Sequence, residues 1–306
     1  METLKGTSTA GRGLLSVKDR KDPRIKLLLG VGWAVLILAG LLCLAPLAWM
    51  VVGSFRTAAE MYAVPQKFMP NSFQTANYES ALKLIPFALY VVNSMVLCLG
   101  VVLGQVATAA MAGYALSKLR VRFAGAWILL FLTSLMVPME LLALPQYLLM
   151  RNFPWGPGLH GMTGINLLDS YAGLILPSVF SAFAIFVAKE AMDGVPREIL
   201  DAARIDGCSE WKVFIRFAVP MVKSSLGVLV IFAFVTQWNS FFWPLIVVNN
   251  PDTFPLMLGI QKLIDTGEPW NVVMAALTLS TLPSVLLLAF FQRTFVRGIA
   301  YTGMFG

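Results

Sequence analysis

The stretch EILDAARIDGCSEWKVFIRFAVP, Glu198 to Pro220, carries four acids and three bases and lies between two long apolar runs. A polar helical corner between runs almost free of charge describes a membrane bundle with a folded connector, not a soluble helical domain. Pro196 suits the first turn of a helix, where its missing N–H removes no ladder bond. The segment REILDAARID then runs to Gly207, a residue suited to a left-handed helix terminus. Ile199, Ala202, Ala203 and Ile205 are expected to form an apolar strip beside Glu198, Asp201, Arg204 and Asp206. Ser209 is placed to cap a second helix with Glu210 in its first turn. Trp211, Val213, Phe214 and Phe217 then lead to Val219-Pro220 and the next apolar run. A plain solvated connector needs neither the small pair Ala202-Ala203 nor a fixed corner at Gly207. Both suit a short helix that docks into a partner's groove.

Outward from this segment the chain is oil-like. Hydrophobic residues make up 58% and charged residues 13% of its 306 residues, and its mean hydropathy is +0.75. A soluble domain carries about 25% charged residues. A helix needs about 20 apolar residues to cross a bilayer. Six stretches qualify: 27–52, 86–112, 126–150, 171–188, 221–248 and 272–292. The expected fold is an all-α polytopic membrane protein with six transmembrane helices, in which 1–26 is a polar tail, 27–306 the membrane domain and 190–220 a cytoplasmic segment. The first run continues into LAPLAWMVVGSFR with no small-residue cleavage site, so it is read as an uncleaved anchor. Pro46, Pro138, Pro145, Pro177, Pro244 and Pro283 fall inside the runs. In a bundle, neighbouring helices and water-lined cavities satisfy the backbone groups that such prolines free.

The net charge of +7 sorts by side of the membrane. With the N-terminus in the cytoplasm, 18 of the 23 lysines and arginines fall inside, leaving only Arg56, Lys67, Lys83, Arg151 and Lys262 outside. This bias places both termini and the segment 190–220 in the cytoplasm. No basic stripe with interleaved aromatics lies outside the runs, so nucleic-acid binding is not expected. The external segments 53–85, 151–170 and 249–271 hold aromatics, prolines and glycines and are expected to fold as caps over the bundle. Cys43, Cys98 and Cys208 lack CxxC spacing and imply neither a disulfide framework nor a metal site. His160, the single histidine, is read as a surface residue. The chain has no G-x-x-x-x-G-K-S/T phosphate loop and no paired acids suited to proton transfer, so it is expected neither to bind ATP nor to be an enzyme.

The spacing in the opening stretch also resembles that of a known family. Permeases of binding-protein-dependent ABC importers carry Glu-Ala-Ala, three residues, Gly, nine residues, then Ile-x-Leu-Pro in the cytoplasmic loop before the penultimate span. Here Asp201-Ala202-Ala203 is followed by three residues, Gly207, nine residues and Phe217-Ala218-Val219-Pro220, with Asp in place of Glu. The stretches NSFQTANYESAL, AAMAGYALSKLRVRFAG, VPMELLALPQYLLM and QWNSFFWPLIV resemble the carbohydrate-uptake branch from about residue 27 onward. The chain is similar to the shorter permease of a pair, although NFPWGPGLHGMTGINLLDSYAG is longer than the family's usual connection. The resemblance implies a type I importer permease in a bacterial or archaeal cytoplasmic (inner) membrane. It also implies a second homologous permease, an extracytoplasmic solute-binding protein and two cytoplasmic ATPase subunits that hold the ATP and Mg. Asp201, Ala202, Ala203 and Gly207 would form the coupling helix, with Glu198, Arg204 and Asp206 as surrounding charge contacts and Pro220 closing the motif. The implied solute is a sugar or sugar-like molecule. The alternative is a glycerol phosphate ester, compatible solute or amino acid.

Polar groups inside spans are costly and mark candidate pathway residues. Glu140 and Gln146 flank Pro145 in the third run. They are read either as lining a cavity or as helix-packing partners. Gln237, Asn239 and Ser240 stand beside Trp238 and Phe241, amides and a hydroxyl among aromatics, a mixture that suits sugar hydroxyls and C–H faces. Trp243 is expected in an interfacial aromatic belt. Asn93 and Gln105 are read as interhelical hydrogen-bond partners.

Overall fold

The computed structural model describes residues 23–153 and 164–302, with side chains described as far as Phe291. Most of the expected tail 1–26, His160 and the middle of the external segment 151–170 lie outside the described residues. Every regular element among the described residues is helical, apart from an isolated antiparallel bridge between Phe153 and Ile165. The first half comprises α1 (Pro23–Gly53), α2 (Ala58–Tyr62), α3 (Ala76–Leu84), α4 (Phe87–Lys118), α5 (Ala124–Ser134), α6 (Met139–Arg151), α7 (Tyr171–Ile175) and α8 (Ala182–Asp193). The opening stretch forms α9 (Arg197–Ile205) and α10 (Glu210–Val213), which continues through a π turn (Phe214–Ala218) into α11 (Val219–Met221). There follow α12 (Lys223–Trp238), α13 (Phe242–Val247), α14 (Leu256–Asp265) and α15 (Trp270–Thr302).

Three helices, α1, α4 and α15, are each long and apolar enough to cross a membrane unbroken. The remaining apolar runs are bent. The α5–α6 pair turns by 102°, Tyr171–Ser178 meets α8 at 48°, and Glu210–Met221 meets α12 at 79°. The expected runs 126–150 and 171–188 thus each contain a bend, and 221–248 starts at one. At the first break the hydroxyls of Thr133 and Ser134 donate to the carbonyls of Leu129 (2.7 Å) and Phe131 (2.6 Å), which loosens the helical ladder. Pro138 then cannot donate, and it holds an extended conformation at ψ 140°. Pro46 and Pro283 stay inside the unbroken α1 and α15.

The hub of the bundle is α4, which packs along both α8 and α12. A Cβ on Gly113 would lie 2.7 Å from the backbone nitrogen of Lys189, so only glycine lets these two helices approach so closely. One buried cluster surrounds Trp238, Trp243, Leu256 and Val273. A second surrounds Ala109, Ala188, Leu200 and Val213 at the end that carries α9.

The segments 53–85 and 249–271 are folded caps, as their composition predicts. Thr57 and Glu60 form a reciprocal capping box on α2. Asn77 donates to the carbonyls of Ser54 and Arg56 and accepts from Asn271 on α15. Arg56 is 1% exposed, its guanidinium 4.2 Å from the Trp49 ring centre and donating to the carbonyls of Lys67 and Phe68. In contrast, none of the most apolar window of α1 is buried, although the helix touches α15.

Candidate functional site

The motif residues lie on a short helix with two unlike faces. On α9, Leu200 and Ala203 are fully or nearly buried against the cluster beneath. Ile199, Ala202, Ile205 and Asp206 point to the other side, at about 100° per residue. The expected single strip of Ile199, Ala202, Ala203 and Ile205 is thus divided, with Ala203 facing inward and the other three outward. Ile205 is 86% and Trp211 61% exposed. Glu198 and Asp201 are exposed alongside them. These apolar and acidic side chains form one exposed face of α9, on which Asp201 is already bonded to Arg204.

Gly207 fixes the corner. Its φ is +80°, and its N–H reaches the Arg204 carbonyl while the Cys208 N–H reaches that of Ala203, both at 3.0 Å. These are the two bonds of a Schellman ending. The corner brings Glu210 back to Arg204, whose guanidinium holds it at 2.7 and 3.0 Å and reaches Asp201 at 2.6 Å. The Tyr114 hydroxyl of α4 donates to Glu210 in a short bond. Arg204, expected as a contact for a partner, is therefore already engaged within the chain.

Glu210 and Tyr114 were not singled out by their residue types. Glu210 was legible only as a first-turn acid, and the Tyr114 contact joins residues 96 positions apart. A second clamp sits next to the first. Ser117 donates to Asp193 (2.5 Å), and Lys118 donates to the Val195 carbonyl (2.7 Å). These bonds join the end of α4 to the end of α8 and to the turn that leads into α9.

Hydrogen bonds from Arg204 hold the Glu210 carboxyl below its usual range, and Tyr114 adds to the effect. A depressed carboxylate contributes stability above its unfolded pKa of about 4.3, lost only as pH falls through the lower folded value. Near neutrality the junction does not titrate. Tyr114→Phe keeps the ring beside Phe214, centroids 5.1 Å apart, and removes only the hydroxyl. We expect it to weaken the junction by about 1 kcal/mol. Faster hydrogen exchange at the α10 amides would show this, and unchanged exchange would refute it.

Beyond α10 the chain passes through the π turn, in which the Val219 N–H bonds to the Phe214 carbonyl five residues back. Pro220, exposed at the start of α11, cannot donate to the Arg216 carbonyl, and the widened turn accommodates this loss.

The pathway candidates fall on the bent segments. Glu140 is exposed in the first turn of α6, and the side-chain amide oxygen of Gln146 is buried without a partner among the described residues. Asn239, Ser240 and Phe241 make up the non-helical joint between α12 and α13, with Gln237 half-buried at the end of α12. α13 packs on α6, which brings the two polar groups of residues onto neighbouring elements. Trp238 does not join them. It is 1% exposed, stacked on Phe234 and donating to the Ser280 carbonyl at 2.9 Å, so it serves packing.

Trp243 is also buried and donates to the Gly173 carbonyl, which corrects the interfacial reading. Asn93 is the expected packing partner: it donates to the carbonyls of Asp252 and Phe254 and accepts from Tyr171. Among the described residues no group of acids, cysteines and histidine is arranged to hold a metal.

Residues 101–301 match the family described as binding-protein-dependent transport system inner membrane component. An arabinooligosaccharide transport permease of Halalkalibacterium halodurans is 29% identical over 95% of this chain and 100% of its own length. The sn-glycerol-3-phosphate transport permease of Escherichia coli is 30% identical over 87% of this chain and 93% of its own. Among solved structures, a chain of a bacterial ABC transporter that imports the acidic polysaccharide alginate superposes with a TM-score of 0.73. It has 20% identity and covers 92% of this chain and 99% of its own length.

Proposed function

Since this chain belongs to the binding-protein-dependent transport system inner membrane components, a family of multi-pass membrane permeases, we propose that it forms, with a second permease, the pathway of an ATP-driven importer for a neutral oligosaccharide. In this reading six spans cross the membrane, each bent pair counting as one, and both termini are cytoplasmic. The observation that carries the proposal is the outward face of α9, apolar and acidic, held to α10 and α4 by the Arg204–Glu210–Tyr114 network. Asp201, Ala202 and the Gly207 corner engage a cytoplasmic ATPase subunit. Closure of that subunit on ATP moves α9, and the clamps pass the movement to the spans. Two ATPase subunits hold the ATP and Mg, and an external binding protein delivers the solute.

Non-helical backbone at membrane depth persists only where protein buries it or a cavity hydrates it. The joints at Leu135–Pro138 and Asn239–Phe241 meet that condition if they border the pathway. Glu140, Gln146, Gln237, Asn239 and Ser240 supply one carboxylate, three amides and a hydroxyl, with no cation. A second reading, import of a glycerol phosphate ester, is favoured by the glycerol-3-phosphate relative. The Glu140 carboxylate would repel such a dianion, and so we rank the neutral solute first.

Purification of the chain from its native membrane tests the assembly. Co-isolation of a second permease and an ABC ATPase is expected, and isolation as a self-sufficient transporter would sink the proposal. Vesicles reconstituted with the matching binding protein should take up a neutral oligosaccharide in preference to glycerol phosphate.

A further inference from the structure

An open groove of about 380 Å³ runs between α4, the α10–α11 segment and α12. Its walls are apolar throughout, with Val106 and Ala107 on α4, Trp211 and Ile215 on the second side, and Leu226 and Val230 on α12. Along α4 the lining extends from Val102 to Met111, about 13 Å at 1.5 Å per residue. Cations follow or precede three of the lining residues in sequence. Lys212 and Arg216 directly follow Trp211 and Ile215, and Lys223 begins α12 three residues before Leu226. All three are exposed, and none has an acidic partner among the described residues. Two other bases of this end do have acidic partners: Arg204 pairs with Asp201 and Glu210, and Lys189 with Glu190 and Asp193.

We propose that this groove holds one acyl chain of an anionic phospholipid, with the phosphate gathered by Lys212, Arg216 and Lys223. The assignment follows from complementarity. A dry slot open to the membrane takes a hydrocarbon chain, and a half-exposed tryptophan at its mouth suits the headgroup boundary. Three unpaired cations beside it match a negative headgroup, and an anionic leaflet attracts such basic segments. The slot also lies under the π turn, so a lipid seated there braces the joint between α10 and α12. The inference rests on the cytoplasmic placement of α9 but not on the solute or on coupling.

Native mass spectrometry of the purified complex tests it, with phosphatidylglycerol or phosphatidylcholine added in graded amounts. The wild type is expected to retain one phosphatidylglycerol in preference to phosphatidylcholine. Ala107→Trp fills the slot from an exposed position and should lose the bound lipid whatever its headgroup. Arg216→Gln combined with Lys223→Gln should keep a lipid but lose preference for the anion by about fivefold per cation removed. Equal retention by Ala107→Trp, or no headgroup preference in the wild type, would overturn the site. So would a disulfide cross-link from Ala107→Cys to a span of the second permease, since a protein helix would then fill the slot. The readout is a bound mass, so it stands even if transport or ATPase coupling is found to work otherwise.

Discussion

Gly207→Pro is expected to abolish ATP-driven uptake while the chain still reaches the membrane. The residue sits at φ +80°, and proline is locked near −65°. Proline also removes the N–H that bonds to the Arg204 carbonyl, and with the turn opened the Cys208–Ala203 bond is lost. Glu210 can then no longer fold back onto Arg204 and Tyr114, so α9 loses both its direction and its fastening. No atom lies within 4 Å of a Cβ at this position, so smaller substitutions act through the backbone alone. Gly207→Ala should weaken the corner by about 1–2 kcal/mol, and Gly207→Asn by less. Uptake by proteoliposomes should fall in the order Gly, Asn, Ala, Pro at equal amounts of inserted protein. Full uptake by the proline variant would mean that the corner transmits nothing.

The second large effect separates two adjacent alanines. Ala202 is exposed and Ala203 is 5% exposed. Ala202→Arg should leave membrane level and thermal midpoint unchanged and place a long cation on the outward face of α9. Uptake is then expected to fall at least about tenfold, as when the centre of an interface is disturbed, with ATP hydrolysis no longer stimulated by the binding protein. Ala203→Arg instead drives an unpaired charge into the cluster around Leu200 and Val213, at a cost of about 3–5 kcal/mol. Little folded chain should be recovered from it. If Ala202→Arg transports normally while assembled, the outward face is not where the ATPase docks.

The motif spacing and the apolar runs made most of this legible beforehand. Gly207 stood out because a charged helix followed by glycine has few other endings, and the capped segments 53–85 and 249–271 stood out by composition. What failed to show was decided at long range. Pro46, Pro138 and Pro283 look alike in sequence, yet only Pro138 stands at a break between helices, just after the hydroxyls of Thr133 and Ser134 have drawn on the ladder. Trp238 and Trp243 carry the same side chain as a belt tryptophan. Their burial depends on carbonyls of Ser280 and Gly173 that the fold brings to them from 42 and 70 residues away. The two faces of α9 were blurred because Ala202 and Ala203 are chemically identical, and only the platform beneath tells them apart.

The π turn at Phe214–Ala218 has a consequence for angular phase. One surplus residue in a helical turn offsets everything before it by about 100° relative to everything after it. The azimuth of α10, to which the corner ties the outward face of α9, is therefore set relative to α11 by a single inserted residue. Deleting that residue would leave the composition of both helices intact and rotate one against the other by more than a quarter of a revolution.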